Sequence, residues 1–413
     1  MRQTRIILPQ YAERFSCIGS ACEDTCCAWW SVAVDKAAYR KYMSLPDGPL
    51  RSLIDSSFLL AADGAEKADA GHFATIRMLP SGVCPFLSEE RLCRIQVELG
   101  KSYLCGICAT YPREVQTMDG LKMTELSLSC PEAARLVLLD GNLLPSAASA
   151  AHQMTWDERA IGQPLQFYFW PIRTLVLDLI RNRHYALWQR MFLLGTFSRR
   201  LEALARGELK RSVPDVLDDF ARAVSTRGLC DAMKKIPANL PLQLEIVLRL
   251  IAHRAGNSHM SRRMHEVLGA FCEGIGRSPA ASMESQAARY ADAYAQFFSP
   301  FFARHPHVLE NYLINAVLRE VFPFGSRLSS LREGPEPAQA FARIVLPFAL
   351  IKGLLIGVAG ARGREFCSAD VVKTVQVAFK HFEHNRQFIR KAHAMLEERK
   401  LDNAYGLTML LRN

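Results

Sequence analysis

With 413 residues, 49% of them hydrophobic and 22% charged, the chain has apolar mass for two or three cored domains and falls outside the disordered, collagen-like and low-complexity classes. Lys and Arg number 51 against 41 Asp and Glu, and the excess is local: residues 1–140 carry a net −2 and residues 141–413 a net +12. A basic second part favours an acidic partner, whether an acidic protein, an anionic surface or nucleic acid.

In chain order, the opening MRQTRIILPQYAERF holds three arginines and no long apolar run. No secretory signal is expected there, and the cytoplasm is the predicted location. Residues 1–140 read as irregular α+β, with a short strand within 31–35 and a loop within 47–71. Residues 141–162 lack periodicity and form the expected linker. From Gln163 onward apolar residues recur at helical spacing, as in Leu175, Leu179, Tyr185, Trp188, Phe192 and Leu193. Ser212, Pro214 and Asp215 supply a capping oxygen, a preset φ and an early negative charge for a helix start. Further helices are expected over 242–253, 262–272, 283–303, 308–322, 338–361 and 369–400. The apolar stretch 344–361 is broken by Pro347 and Lys352, which favours a buried core helix over a membrane span. Gly357, Gly360 and Gly363 form G-x-x-G-x-x-G in the same apolar helical region and predict close helix packing, not a cofactor loop.

Cysteine is skewed the other way: nine of twelve lie at or before Cys130. They run Cys17-x4-Cys22-x3-Cys26-Cys27, then Cys84-x8-Cys93, Cys105-x2-Cys108 and Cys130. In a reducing compartment such density points to metal before disulfides. Thiolate sulfur suits zinc and iron–sulfur clusters. Two Cys-Pro pairs, at Cys84 and Cys130, and the wide spread of the thiols favour iron–sulfur. Cys26 and Cys27 are adjacent, so one of them serves a second site or a packing role. Trp29 and Trp30 are candidate walls against water. The fold class expected is mainly α, with an irregular cysteine-rich α+β N-terminal metal-binding region (1–140), a linker (141–162) and a large helical domain (163–413).

The segments FSCIGSACEDTCC, GVCPFLSEERLCRIQVELG, CATYPR and LSLSCPEAARLVLL resemble the flagellin lysine-N-methylase family. So do WPIRTLVLDLIRNRHYALWQRMFLLG and LENYLINAVLREVFPFG in the helical part. The cysteine region alone also resembles a broader zinc- or iron-chelating group. The resemblance implies a cytoplasmic methyltransferase that acts on flagellin lysines with S-adenosylmethionine as donor and a [4Fe–4S] cluster as cofactor. It implies metal-site cysteines at Cys17, Cys22, Cys26, Cys27, Cys84, Cys93, Cys108 and Cys130; Cys105 stands outside that pattern. Eight thiols suffice for two four-ligand sites, one of which zinc would suit.

Methyl transfer needs a neutral lysine amine held in line with the methyl group. Asp24, Asp35, Tyr111, Glu125 and Glu132 are candidate proton acceptors, and Arg113 is a candidate partner for the donor's carboxylate. The radical pattern C-x3-C-x2-C is absent, which favours polar transfer. Arg181, Arg183, Arg190, Arg199 and Arg200, beside Trp188 and Phe192, form a candidate docking face for the protein substrate, with nucleic acid disfavoured. His381, His384 and His393 are expected at the surface. Two non-enzymatic readings compete: an iron- or zinc-chelating protein and a zinc-stapled interaction protein.

Overall fold

The computed structural model describes residues 6–7, 9–60, 71–118, 121–144, 164–255, 260–325, 336–383 and 386–413. Most of the expected linker, the end of the 47–71 loop and His384 lie outside them.

The first third is built from short elements. Strands β1 (Ile6–Ile7), β2 (Ala33–Val34), β3 (Phe58–Leu60), β4 (Ala74–Ile76), β5 (Arg113–Met118) and β6 (Leu121–Leu126) make two three-stranded sheets. One has the order β1-β6-β5, with β1 parallel to β6 and β5–β6 antiparallel, pairing Arg113 with Leu126. The other has the order β2-β4-β3, all antiparallel. The strand expected within 31–35 is β2.

Helices α1 (Gln10–Glu13), α2 (Lys36–Met43), α3 (Pro49–Ser57), α4 (Arg94–Leu99), α5 (Gly106–Thr110) and α6 (Pro131–Leu138) fill the gaps. Asp35 starts α2 by accepting the Ala38 N–H at 2.8 Å, a cap worth about 1 kcal/mol. Elements this short bury little apolar surface. Their core of Val34, Tyr42, Ile54, Ile76 and Phe86 is correspondingly small, and Cys84 and Cys105 are part of it.

The remainder is helical: α7 (Phe169–Arg181), α8 (Leu187–Ala205), α9 (Val213–Ser225), α10 (Cys230–Lys234), α11 (Leu240–Ala255), α12 (Arg262–Gly274), α13 (Met283–Ala293), α14 (Ser299–Arg304), α15 (His307–Arg319), α16 (Pro337–Arg362), α17 (Ser368–Ala378), α18 (Arg386–Glu398) and α19 (Ala404–Met409). Ser212 caps α9 as expected, accepting from Asp215 N at 3.2 Å. The helix expected over 369–400 is interrupted by a π turn, Phe379–Glu383, and that over 283–303 by another, Tyr294–Phe298.

Helix α16 is the axis of the bundle. By length and composition it is apolar enough to cross a membrane, but 89% of its most apolar window is buried inside the protein. Lys352 is accommodated there by donating to Leu411 O at 2.6 Å. Gly357 and Gly360 pack closely as expected, whereas Gly363 ends α16 at φ +58°, where a Cβ would come no nearer than 3.9 Å to Phe297. A Cβ on Gly274 of α12 would stand 1.8 Å from Gly357 O, and one on Gly360 would stand 2.9 Å from the Ala293 Cβ, so the backbones touch. The large core takes in Tyr11, Leu126, Leu128 and Val137 as well, which seats the β6–α6 segment on the bundle.

Candidate functional site

The thiols gather where the small core meets the bundle. Cys84 N donates to Cys27 O at 2.8 Å, and Ala28 bridges Val83, so the segments around residues 27 and 84 run side by side. The chain then turns tightly: Leu87 N donates to Cys84 O at 3.1 Å and Leu87 bridges Cys93, which closes the Cys84–Cys93 loop. Cys105 and Cys108 stand one turn apart at the start of α5. Asp35 fixes that start by accepting Gly106 N at 2.9 Å as well as capping α2. Cys84 and Cys105 are buried in the small core, with Cys27, Cys93 and Cys108 packed against it.

Two thiol pairs share hydrogen bonds. In the first, the bond from Cys27 and the nearby Lys380 ammonium pull Cys26 down to about 7, while Cys27 is pushed up. In the second, Cys108 lowers Cys105 and is itself raised. Each pair thus sets a sulfur whose ionisation is eased beside one whose ionisation is opposed. Burial raises Cys84 to about 11.

A second group faces the bundle. Lys380 Nζ lies 3.1 Å from Asp24 Oδ2 and 2.7 Å from Thr25 O. Gln376 Nε2 donates to Asp24 Oδ2 at 2.8 Å and to Ser129 O at 2.9 Å. These contacts hold the loop carrying Cys22, Cys26 and Cys27 against the segment carrying Cys130. Burial pushes Cys130 up to about 12, although it begins α6, and Cys22 is raised by the same cause. Arg135 ties Glu23 of the same loop at 2.6 Å. Cys17 is exposed. The indole of Trp30 lies 5.7 Å from the Tyr111 ring and donates to Cys26 O at 2.7 Å; Trp29 lies 6.3 Å from the His381 ring.

Each candidate proton acceptor has a structural partner. Asp24 is paired with Lys380 and Gln376, Asp35 caps two helices, and Glu132 pairs with Arg135. The Tyr111 hydroxyl lies 2.9 Å from Ser129 Oγ, and burial holds its proton on. Glu125 is sealed in the core, accepts from Tyr11, and is raised by burial to about 7 against the pull of Arg173. Arg113 Nη2 donates to Phe15 O at 3.0 Å.

The arginine face is not one surface. Arg190 is buried and shares Glu310 with Arg183, at 2.9 and 3.0 Å, whereas Arg199 and Arg200 line a separate groove. His381 corrects the surface expectation: the π turn aims it inward, 2.8 Å from Ser261 Oγ. His393 is half-buried. Sequence reasoning missed Lys380 and Gln376, which no local pattern marks, and set Cys105 apart, although its C-x2-C spacing was visible.

Among the described residues, no three His, Cys, Asp or Glu side chains stand together as a ready-made shell for an ion. The chemistry of the donor set nonetheless fits a thiolate-bound metal, since cysteine sulfur is soft and a bound cation favours its ionised form.

The class defined so far is a helical bundle clamped onto a thiol-rich sheet module. A family model described as the FliB lysine N-methylase C-terminal domain matches residues 173–410, and the chain belongs to that family. It is 26% identical to the lysine-N-methylase of Salmonella typhimurium over all of both chains, and 26% identical to that of Salmonella choleraesuis over the same full extent. It is 33% identical to the flagellar biosynthetic protein FliU of Salmonella muenchen, covering 41% of this chain and 94% of that one. No solved structure matches it.

Proposed function

We propose that this chain is a protein-lysine N-methyltransferase acting on flagellin, with S-adenosylmethionine as methyl donor and a cysteine-bound [4Fe–4S] cluster as cofactor. The observation that carries the reading is the full-length similarity to proteins named lysine-N-methylase. The flagellar name of the third relative supports the substrate. The residues that would hold the cluster are drawn from Cys17, Cys22, Cys26, Cys27, Cys84, Cys93, Cys108 and Cys130, with Cys105 added because it shares the core of Cys84 and the hydrogen bond of Cys108. Zinc is the alternative metal for the same donors. A cluster held by these thiolates would supply iron as a Lewis acid to anchor the donor.

The chain's own residues prepare the reaction. The substrate amine must shed its proton, and low-dielectric surroundings favour that loss. Trp29, Trp30 and Tyr111 provide an apolar wall beside the thiol loop. Lys380 and Gln376 fix the loop, so that reacting groups meet in a constant geometry. In this division of labour residues 1–140 bind metal and 163–413 dock the protein substrate, with 141–162 as linker and the cytoplasm as the setting.

Mass spectrometry of flagellin co-expressed with the chain tests the reading. Lysines gaining about 14 Da per methyl group support it. Unmodified flagellin, in the presence of brown, iron-loaded protein, overturns it.

A further inference from the structure

A large cavity lies away from the thiols, within the bundle. It is an open groove of about 1100 Å³ between α8, α9 and the start of α19. Arg199, Arg200, Arg211 and Arg222 line it, against a single carboxylate, Asp219. Arg211 and Arg222 both lean on Asp219, the latter at 3.5 Å, and Arg200 lies 5.2 Å over the Phe220 ring. Arg199 is exposed and has no carboxylate partner among the described residues. Asp219 is thus the one carboxylate on the lining against four guanidinium groups, with Asp215 acting on Arg211 from outside it. Between the arginines the lining is apolar, with Leu209 and Val216 among it.

The geometry points to a docking site for an acidic, amphipathic helical segment of the protein substrate. Two helices forming a trough with an apolar floor and cationic rims match a third helix that has one apolar and one acidic face. Charge complementarity selects the acidic partner and speeds its capture. Nucleic acid fits less well. The exposed aromatic of the groove, Tyr405, is tethered by its hydroxyl to Lys235 O at 2.9 Å and makes a poor stacking platform. This inference rests on the proposed methylation of a protein substrate and names the surface that receives it.

The test uses the full chain and a fluorescent peptide of about 18 residues, five helical turns, with leucine and alanine on one face and glutamate on the other. Fluorescence anisotropy should show binding that weakens with salt. Arg199→Glu with Arg222→Glu should cost about tenfold or more in affinity, and Arg199→Lys with Arg222→Lys should retain most of it. With flagellin as substrate, the Glu variant should raise KM and leave kcat unchanged. Near-ultraviolet circular dichroism checks that each variant is folded. No binding by the native chain, equal binding by the Glu variant, or displacement of the peptide by an oligonucleotide of equal charge each overturns the proposal. Salt-sensitive peptide binding that obeys the substitutions, by a chain that methylates nothing, upholds the groove and removes the methylase reading instead.

Discussion

Lys380 and Asp24 stand 356 positions apart in sequence and 3.1 Å apart in space, with side chains only 7% and 9% exposed. A buried pair of this kind is expensive to break from one side, because the survivor keeps an uncompensated charge. Lys380→Met should therefore destabilise the protein by about 3 kcal/mol, while the double variant Lys380→Met with Asp24→Asn should recover part of the loss. Urea titration of the three proteins measures this. Single and double variants with equal losses would remove the pair from the account of how the thiol loop is held.

Cys105→Ser should lower bound metal per chain after anaerobic purification, whereas Cys367→Ser should not. Cys105 is buried among four other thiols, and Cys367 is exposed at the far end of the bundle sequence. Elemental analysis of the two variants separates these outcomes, and equal metal content in both would return Cys105 to a packing role.

Burial raises the Glu125 carboxyl from an ordinary 4.5 to about 7. The folded state then holds a proton that the unfolded chain has released. The contribution is fully present below the unfolded value and is lost as pH rises from about 4.5 through about 7. Glu383, raised likewise to about 7, adds to the same slope. Glu125→Gln should flatten the decline of stability across that window, as read by denaturant midpoints at successive pH values. An unchanged slope would show that the carboxyl is ionised in the fold.

Lys352 presents the opposite case, with burial lowering it from 10.5 to about 7. The unfolded chain takes up a proton that the fold resists, so stability should climb between about pH 7 and about pH 10. Lys352→Met should abolish that climb, and calorimetry at three pH values suffices to see it.

Gly274→Ala should be among the most damaging single substitutions in the bundle. Its new methyl would stand 1.8 Å from the Gly357 carbonyl, so two helix backbones would have to part. A loss of about 3 kcal/mol or more follows from such overpacking. Gly269→Ala, with nothing within 4 Å, serves as control and should be neutral or slightly stabilising. Thermal midpoints of the two compare them directly.

What the sequence made legible was local. The helices followed from apolar recurrence, the α9 start from Ser212, and the burial of α16 from its uniform hydropathy and the awkward Lys352. The thiol positions were plain as well, since cysteine spacing carries its own chemistry. What stayed hidden depended on long-range juxtaposition. Nothing near residue 380 announces a partner at residue 24, and nothing near Glu125 announces Tyr11. His381 looked like a surface residue because a π turn leaves no periodic trace. The arginines from 181 to 200 looked like one face, yet the break after α7 sends Arg190 inward to Glu310 and leaves Arg199 on another side.

The π turn Phe379–Glu383 has a consequence for how this family can drift. Within five residues it aims Lys380 at the thiol loop and Glu383 at Tyr312 and Arg319. Each residue added to or removed from a helix rotates everything beyond it by about 100°. A single-codon insertion or deletion between 368 and 383 would misdirect one of these contacts, however mild the inserted side chain. Descendants of this gene should therefore vary in amino-acid identity along that stretch while its spacing stays constant.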